Sequence, residues 1–335
     1  MTPVNLKSLT DMALDLGLLL SDRQLNEFDM YFELLVEWNK KINLTAIEEE
    51  KDIVLKHFID SLSILKYIPR QPVAPDRAKR NTAHTRAGNG AGADAGVGVS
   101  VDTDNLSVHS DADKIRFVDV GAGAGFPGIP VKIILDGENG GNRERRANSE
   151  NGENNESCKS GELGGSGRSG ESGGGGDCFE DGGRNGRSGI EVILLEAVGK
   201  KVKFMEEVIR TIGLRNVKPV HIRAEDAGHM VEYRGLADVA AARAVAPLPV
   251  LLEYSIPLLK INGIFIAMKS ANETVDREIS DSKNAANVLG CTIERVDRFC
   301  LPKSDISRSV IIVRKVGQTP AGYPRKAGRP SKSPL

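Results

Sequence analysis

The chain has 335 residues, and its 45 lysines and arginines nearly balance its 46 aspartates and glutamates, for a formal net charge of -1. Such a balance does not require a nucleic-acid partner, although the chain from Arg314 to its end carries six basic and no acidic side chains. No apolar run approaches the ~18 residues of a membrane span and no signal peptide is evident, so we expect a cytoplasmic protein without membrane contact. The four cysteines form no CxxC pair, and neither a disulfide framework nor a metal site is expected.

Residues 1–68 are predicted to form a small helical cap. Ser21 followed by Gln24 is typical of a capping box at the start of a helix. After it, apolar residues recur at three- and four-residue steps, as on the buried face of a helix: Leu25, Phe28, Phe32, Leu35 and Trp38. Residues 51–68 repeat this pattern, which predicts a further helix after a short link that contains Asn43.

Two segments, 69–113 and 137–189, are predicted to be disordered inserts. Together they contain one aromatic residue, Phe179, and the second segment alone holds 17 of the 36 glycines. Such a composition buries too little apolar surface to offset the entropy that is lost on ordering. The rest of the chain, which holds nearly all of the large apolar side chains, is long enough for one sizeable core.

Strand and helix patterns alternate over residues 114–316, the predicted main domain. The predicted strands are 115–120, 190–195, 217–222, 237–242, 263–268, 291–299 and 309–316, and the predicted helices are 127–135, 200–212, 248–259 and 273–289. This alternation predicts an α/β fold with a mostly parallel, doubly wound sheet. The last two strands follow each other without a helix, which predicts a terminal antiparallel hairpin. A seven-stranded, Rossmann-like sheet with that ending is typical of class I S-adenosylmethionine-dependent methyltransferases.

The strongest local signal is the glycine turn after the first strand, VDVGAGAGFPG at residues 118–128. Glycines let the backbone approach a ligand closely, and the following helix directs its N–H groups at that ligand. Gly121, Gly123 and Gly125 fit S-adenosylmethionine binding, whereas Gly123, Gly125 and Gly128 satisfy the dinucleotide pattern. The second interpretation, a nicotinamide-dependent oxidoreductase, is weakened by Pro127 inside its motif and by the terminal hairpin.

An acidic residue is expected about 20 residues after such a turn, where it accepts hydrogen bonds from a ribose diol. Glu196 ends the second strand but lies much further than this from Gly125, and the second insert accounts for most of the distance. When the insert is subtracted, the spacing falls close to the expected value, which predicts that Glu196 binds the cofactor. At the end of the third strand, Ala224 and Glu225 are assigned to the adenine.

The end of the fourth strand, residues 242–247 (ARAVAP), argues against several methyl acceptors. It lacks the Asn/Asp-Pro-Pro-Tyr turn that holds exocyclic amines, and neither Cys291 nor Cys300 lies near it to serve as the nucleophile for C5 methylation. Only Lys269 is placed for ribose methylation, which usually needs a set of bases around a lysine. A ring nitrogen such as guanine N7 remains. It carries no proton, so its methylation needs orientation and exclusion of water rather than a base.

Several ordered motifs cover essentially the whole core. They are Trp38-Asn39 with Asn43-Leu44-Thr45, then HFIDS at 57–61, the glycine turn through Pro130, GKKVKF at 199–204, ARA at 242–244 and YPRKAG at 323–328. In these motifs the chain resembles the bacterial ribosomal RNA small subunit methyltransferase G family (RsmG, also called GidB). The resemblance implies transfer of a methyl group from S-adenosylmethionine to N7 of the guanine at position 527, in the 530 loop of 16S ribosomal RNA. It also implies 16S rRNA or the 30S subunit as partner.

The resemblance assigns residues as well. It places Gly121 and Phe126 at the cofactor and Arg243 at the methionine end or the RNA entrance. It places Asn43, His57, Asp60 and Ser61 around the target base, so that Asn43, His57, Asp60 and Arg243 are the candidate catalytic residues. The alternative for His57 and Asp60 is a structural role between the N-terminal helices.

Basic side chains are the candidate RNA contacts: Lys200, Lys201, Lys269, Arg325 and Lys326. The last two lie in residues 317–335, predicted to be a basic tail that binds phosphates. For the lysines at 200 and 201, a solvated helix face is the alternative. A monomer is expected. A non-catalytic RNA-binding protein with the same fold remains an alternative, because the residues indicate a site but not turnover.

Overall fold

The computed structural model describes residues 1–69, 71–72, 114–136 and 189–335. The two predicted inserts lie almost entirely outside the described residues, and their disorder stays a prediction. Within these ranges no helix is long and apolar enough to cross a membrane. The same ranges contain no group of three or more His, Cys, Asp or Glu side chains that could hold a metal ion.

Three helices precede the sheet. Helix α1 spans Pro3–Asp15 and α2 spans Asp22–Ile42. The capping box is formed, since the Gln24 N–H donates to Ser21 Oγ and the Ser21 N–H donates to the Gln24 side chain at 2.9 Å. Helix α3 runs from Glu50–Ile53 through a π-helical turn, Val54–Ile59, to Asp60–Leu62, and a 3-10 turn follows at Leu65–Tyr67.

The described residues form one seven-stranded sheet in the order β3-β2-β1-β4-β5-β7-β6. Its strands are β1 (Ile115–Val120), β2 (Ile190–Glu196), β3 (Val217–His221), β4 (Ala237–Arg243), β5 (Leu259–Ser270), β6 (Cys291–Cys300) and β7 (Ser307–Lys315). The first five pair in parallel, whereas β7 is antiparallel to both β5 and β6. The predicted fold class, including the terminal hairpin, is confirmed.

The remaining helices are α4 (128–136), α5 (Gly199–Ile212), α6 (Ala224–Ala227), α7 (Leu248–Ser255), α8 (Glu273–Asp281), α9 (Lys283–Leu289) and α10 (Arg329–Lys332). Two predicted helices were too long. The helix predicted over 248–259 ends at Ser255 and continues as a 3-10 turn, because Pro257 has no N–H to extend an α-helix. The helix predicted over 273–289 is interrupted at Ser282, whose hydroxyl donates to the Glu278 carbonyl at 2.6 Å.

Two apolar cores cover the two faces of the sheet. Beneath one face, side chains of α2 such as Phe28 and Leu35 pack in the same cluster as Phe117 of β1 and Leu194 of β2. Beneath the other face, Val118 and Ile193 share a cluster with residues of α7 and α9. The N-terminal helices therefore belong to the same packed body as the sheet, and α3 reaches the carboxyl end of β4.

Residues 317–335, here called the C-terminal segment, pack against α6 and α7. The Arg325 guanidinium forms a forked ion pair with Glu253, which is fully buried, at 2.9 Å (Nε to Oε1) and 2.6 Å (Nη2 to Oε2). Arg234 donates to the carbonyl oxygens of Tyr323 and Thr319. The sequence predicts a basic tail that binds phosphates here. The structure instead docks the segment, because Arg325 meets a buried carboxylate on α7, far away in the chain.

Candidate active site

A cavity of about 450 Å³ opens at the carboxyl ends of the central parallel strands. This is the edge at which doubly wound sheets bind ligands, and the volume suits a nucleoside-sized molecule. The wall includes most of the predicted cofactor residues: Gly121, Gly123, Phe126, Glu196, Ala224, Glu225 and Arg243. The wall also includes Thr45 and His57 from the N-terminal helices, so the cavity has a cofactor side and an N-terminal side.

The glycine turn adopts a backbone that other residues rarely take. Gly121, Gly123 and Gly125 have φ angles of +73°, +61° and +94°. A Cβ added at Gly123 would meet no atom closer than 3.9 Å and would stand in the cavity, so this glycine leaves room for a ligand. A Cβ at Gly125 would lie 2.4 Å from Ile129 Cδ1, so that glycine is needed for packing.

Alanine substitutions should separate these two roles. We expect Gly125→Ala to lower the free energy of unfolding by about 2–3 kcal/mol, because it adds a clash to an unfavourable φ. Gly123→Ala, the matched control, should cost about 1 kcal/mol, since that is the usual penalty for alanine at φ near +60° and the space is open. It should nevertheless weaken S-adenosylmethionine binding by about tenfold. Urea unfolding and calorimetric titration measure the two effects, and equal stability losses would contradict this assignment.

Glu196 lies at the end of β2 and accepts two backbone hydrogen bonds. The Gly123 N–H donates to Oε2 and the Val198 N–H donates to Oε1, both at 2.8 Å. A carboxylate has about four acceptor positions, so two remain for the hydroxyls of a ribose. Further along the edge, Glu225 Oε1 accepts from the Gly328 N–H at 2.9 Å. The glycine turn, the free acceptor positions and the open space at Gly123 fit a nucleoside cofactor.

Phe126, directly after the glycine turn, connects that turn to the N-terminal helices. Its ring stacks on His57 with centroids 4.6 Å apart and on Tyr31 with centroids 5.2 Å apart. The Arg243 guanidinium lies 4.9 Å from the centroid of the same ring. Within the turn, the Ala124 carbonyl accepts a hydrogen bond from the Tyr31 hydroxyl. The turn is thus attached to both α2 and α3.

Arg243, the last residue of β4, reaches across to α3. Nη1 donates to the Lys56 carbonyl at 2.9 Å and lies 3.4 Å from Asp60 Oδ2, and Nη2 lies 3.0 Å from His57 Nδ1. Arg308 holds the other oxygen of Asp60 at 2.8 Å. Asp60 therefore lies behind Arg243 and does not line the cavity.

The contacts of His57 determine its tautomer. Arginine has no acceptor, so His57 Nδ1 must accept from Arg243, and the ring proton is on Nε2. Nε2 lies 2.8 Å from Thr45 Oγ1, to which it donates. Burial, with the nearby positive charge of Arg243, lowers the pKa of His57 to about 3. The imidazole is therefore neutral at physiological pH.

This pKa predicts a pH-dependent stability. Between the ordinary 6.5 and about 3, the unfolded chain binds a proton at His57 that the folded chain does not, so stability falls as pH falls through this window. Asp119 acts in the opposite direction, because burial raises its pKa from 3.8 to about 7. The informative quantity is therefore the difference in the free energy of unfolding between wild type and variant. Relative to wild type, the free energy of unfolding of His57→Asn should rise by up to about 1.4 kcal/mol for each pH unit below pH 6.5.

Urea unfolding between pH 4.5 and 8 measures this difference. His221→Asn, which removes an exposed imidazole, is the matched control. A His57→Asn difference that stays constant with pH would contradict the neutral, buried imidazole.

Most of the other predicted residues lie outside the cavity. Asn43 is exposed and ends α2 in the left-handed conformation, with φ +49°. Lys269 donates to the Ala246 carbonyl and pairs with Glu278 at 2.7 Å, and Arg325 is bound to Glu253. Lys200 and Lys326 are exposed, and Lys201 lines the cavity. The predicted RNA-binding roles of these side chains stay predictions.

Sequence reasoning gave no role to several residues of the wall, of which Thr45 and Tyr254 carry hydroxyl groups. Thr45 belongs to the Asn-Leu-Thr motif but received no role, and Tyr254 was not considered. The Tyr254 hydroxyl lies 2.9 Å from Ser331 Oγ in the C-terminal segment. Only the Asn-Leu-Thr motif offered a signal, and it indicated Thr45 no more strongly than Asn43.

The fold and the site together define an S-adenosylmethionine-dependent methyltransferase: a parallel sheet with a terminal hairpin, a glycine turn after β1 and an acidic residue at the end of β2. A family model, GidB, described as rRNA small subunit methyltransferase G, matches residues 24–76, 102–138 and 187–306. The chain belongs to this family. The oxidoreductase interpretation of the glycine turn is thereby set aside.

Curated relatives agree with this assignment. The chain is 36% identical over 329 residues to ribosomal RNA small subunit methyltransferase G of Acetivibrio thermocellus, covering 98% of this chain and 96% of that protein. It is 30% identical over 332 residues to the protein of the same name from Bacillus subtilis, covering 99% of each. Among solved structures, M. jannaschii TYW2 in complex with AdoMet gives a TM-score of 0.36 at 15% identity, over 60% of this chain and 68% of that one.

Proposed function

We propose that this protein methylates N7 of the guanine at position 527, in the 530 loop of 16S ribosomal RNA, and that it acts in the cytoplasm as a monomer on the 30S subunit or its RNA. One observation carries the choice of atom. On the N-terminal side of the cavity, both nitrogens of His57 are engaged, and both oxygens of Asp60 are held by arginines. Neither residue is available to remove a proton, which favours an acceptor atom that carries none.

The residues of the chain supply orientation in this proposal. S-adenosylmethionine supplies an electrophilic methyl group on its sulfonium. The glycine turn permits close approach, Glu196 accepts from the ribose, and Glu225 borders the adenine. Arg243, His57 and Phe126 contact one another and form the part of the wall against which the base is held in line with the methyl group. The target loop is structured RNA, so recognition depends on shape and on an unstacked base.

Exposed lysines support an RNA surface beside the cavity. Lys201 lines the cavity, and Lys200 adjoins it on the first turn of α5. Lys326 is exposed on the C-terminal segment. Within the described part of the chain these three side chains have no carboxylate partner and can meet phosphates, whereas Arg325 and Lys269 already pair with carboxylates. Charge-removing substitutions at the three lysines are therefore a better test of RNA binding than deletion of residues 317–335, which would disrupt packing.

Mass mapping of 16S rRNA tests the proposed function. RNA from cells that lack this gene should lose 7-methylguanosine at position 527, and the wild-type gene should restore it. Gly123→Ala, expected to fold but to bind the cofactor weakly, should restore it poorly. A methyl group on another atom would refute the N7 assignment. A mark that persists without the gene would favour the alternative of an RNA-binding protein without this activity.

A further inference from the structure

The side chain of Thr45 is held by donors only. His57 Nε2 lies 2.8 Å from Thr45 Oγ1, and the Ile47 N–H donates to the same oxygen at 3.0 Å. A hydroxyl oxygen has two lone pairs, and both are filled. Among the residues that the structure describes, no acceptor is found for the hydroxyl proton of Thr45. Since Thr45 lines the cavity, its proton is available to a ligand there.

Arg243 sets the direction of the hydrogen bonds that run from Arg243 through His57 to Thr45. Arg243 can only donate, so His57 must accept at Nδ1 and donate from Nε2, and Thr45 must accept from it. Each bond polarises the next, which strengthens the Thr45 hydroxyl as a donor. Thr45 cannot act as a proton acceptor, because its lone pairs are used.

The loop around Thr45 holds the hydroxyl in place. The Thr45 N–H donates to Asn39 Oδ1 at 2.9 Å, and Asn43 supplies the left-handed turn that ends α2. Leu44, which lies between Asn43 and Thr45 in the chain, is buried. A donor fixed in this way is ordered before the substrate arrives, so little entropy is lost when it forms a hydrogen bond.

We propose that the Thr45 hydroxyl donates to O6 of the target guanine and thereby selects guanine over adenine; this inference rests on the proposed function. Guanine presents two acceptors, N7 and O6, on one edge, whereas adenine presents N7 beside an amino donor. When N7 faces the methyl group, position 6 is the neighbouring group on that edge. A fixed donor there matches guanine and opposes the amino group of adenine.

A double-mutant cycle that combines a protein substitution with a base substitution tests the proposal. The substrates are 30S subunits reconstituted with 16S rRNA that carries guanine or 2-aminopurine at the target position, since 2-aminopurine keeps N7 but lacks O6. With guanine, Thr45→Val should lower the single-turnover methylation rate by about tenfold, and Thr45→Ser should stay within about threefold of wild type. With 2-aminopurine, wild type and Thr45→Val should react at equal rates.

Other outcomes would overturn the role of Thr45. An equal loss on both RNAs would show that valine only disturbs the loop, since it also leaves His57 Nε2–H and the Ile47 N–H without their acceptor. A weaker calorimetric affinity for S-adenosylmethionine, with RNA discrimination unchanged, would assign the hydroxyl to the cofactor. If wild-type product mapped to an atom other than N7, the proposed function itself would fail, and the mapped position would show this directly.

Discussion

Arg243→Met should lower the single-turnover methylation rate by about 10²-fold and the free energy of unfolding by about 3 kcal/mol. The rate falls because Arg243 orients His57 and lies over Phe126, and small misplacements of an active-site wall are costly. The stability falls because the buried Asp60 loses one of its two cationic partners. Rates are measured at saturating cofactor and RNA, with urea unfolding in parallel.

Arg308→Met is the matched control. Arg308 pairs with the other oxygen of the same carboxylate at 2.8 Å but does not line the cavity. The control should lose comparable stability while keeping its rate within about threefold of wild type at a temperature where it is folded. If both variants lost activity equally, the effect would belong to Asp60 and the fold, and not to the position of Arg243 in the wall.

Arg325→Ala should destabilise the protein by about 3–5 kcal/mol. It leaves Glu253, which is fully buried, without its cation, and an uncompensated buried charge is expensive. The loosened C-terminal segment should also bind S-adenosylmethionine about tenfold more weakly. The physical reason is that the segment contributes the Gly328 N–H to Glu225 and Ser331 to Tyr254, and both partners line the cavity.

Arg329→Ala removes an exposed cation from the same segment and should change neither stability nor cofactor affinity. Urea unfolding and calorimetric titration of both variants make the comparison. If Arg325→Ala kept full stability and cofactor affinity but bound RNA more weakly, the docking role would be wrong and the RNA-binding role predicted from the sequence would be supported.

The order of the elements was predictable because each leaves a local signature. Apolar runs such as 115–120 predicted central strands, and the consecutive last two strands predicted the hairpin. The position of Glu196 at the end of β2 could be predicted across the second insert, because the insert is compositionally distinct and could be subtracted from the spacing. All three inferences use the residue pattern along the chain and need no knowledge of contacts between distant residues.

Contacts between distant parts of the chain were not predictable in this way. Nothing near Arg325 indicates that Glu253 is its partner, so a run of basic residues was interpreted as a tail. The proposed role of Thr45 depends on a proton position, which is set by Arg243 at the end of a strand far along the chain. The interruption of the 273–289 helix at Ser282 is local instead: the Ser282 hydroxyl donates to the Glu278 carbonyl four residues earlier, and the apolar pattern that predicted the helix contains no sign of this bond.

The stack around Phe126 has a consequence for how the two substrates bind. One aromatic ring adjoins the glycine turn and also contacts His57 and Arg243, so any movement of the turn on cofactor binding would also displace the side chains that face the base in the proposed function. We therefore expect the two binding equilibria to be thermodynamically linked. Linkage is reciprocal: the factor by which cofactor changes affinity for RNA equals the factor by which RNA changes affinity for cofactor. Replacement of Phe126 by leucine should then bring that factor closer to one.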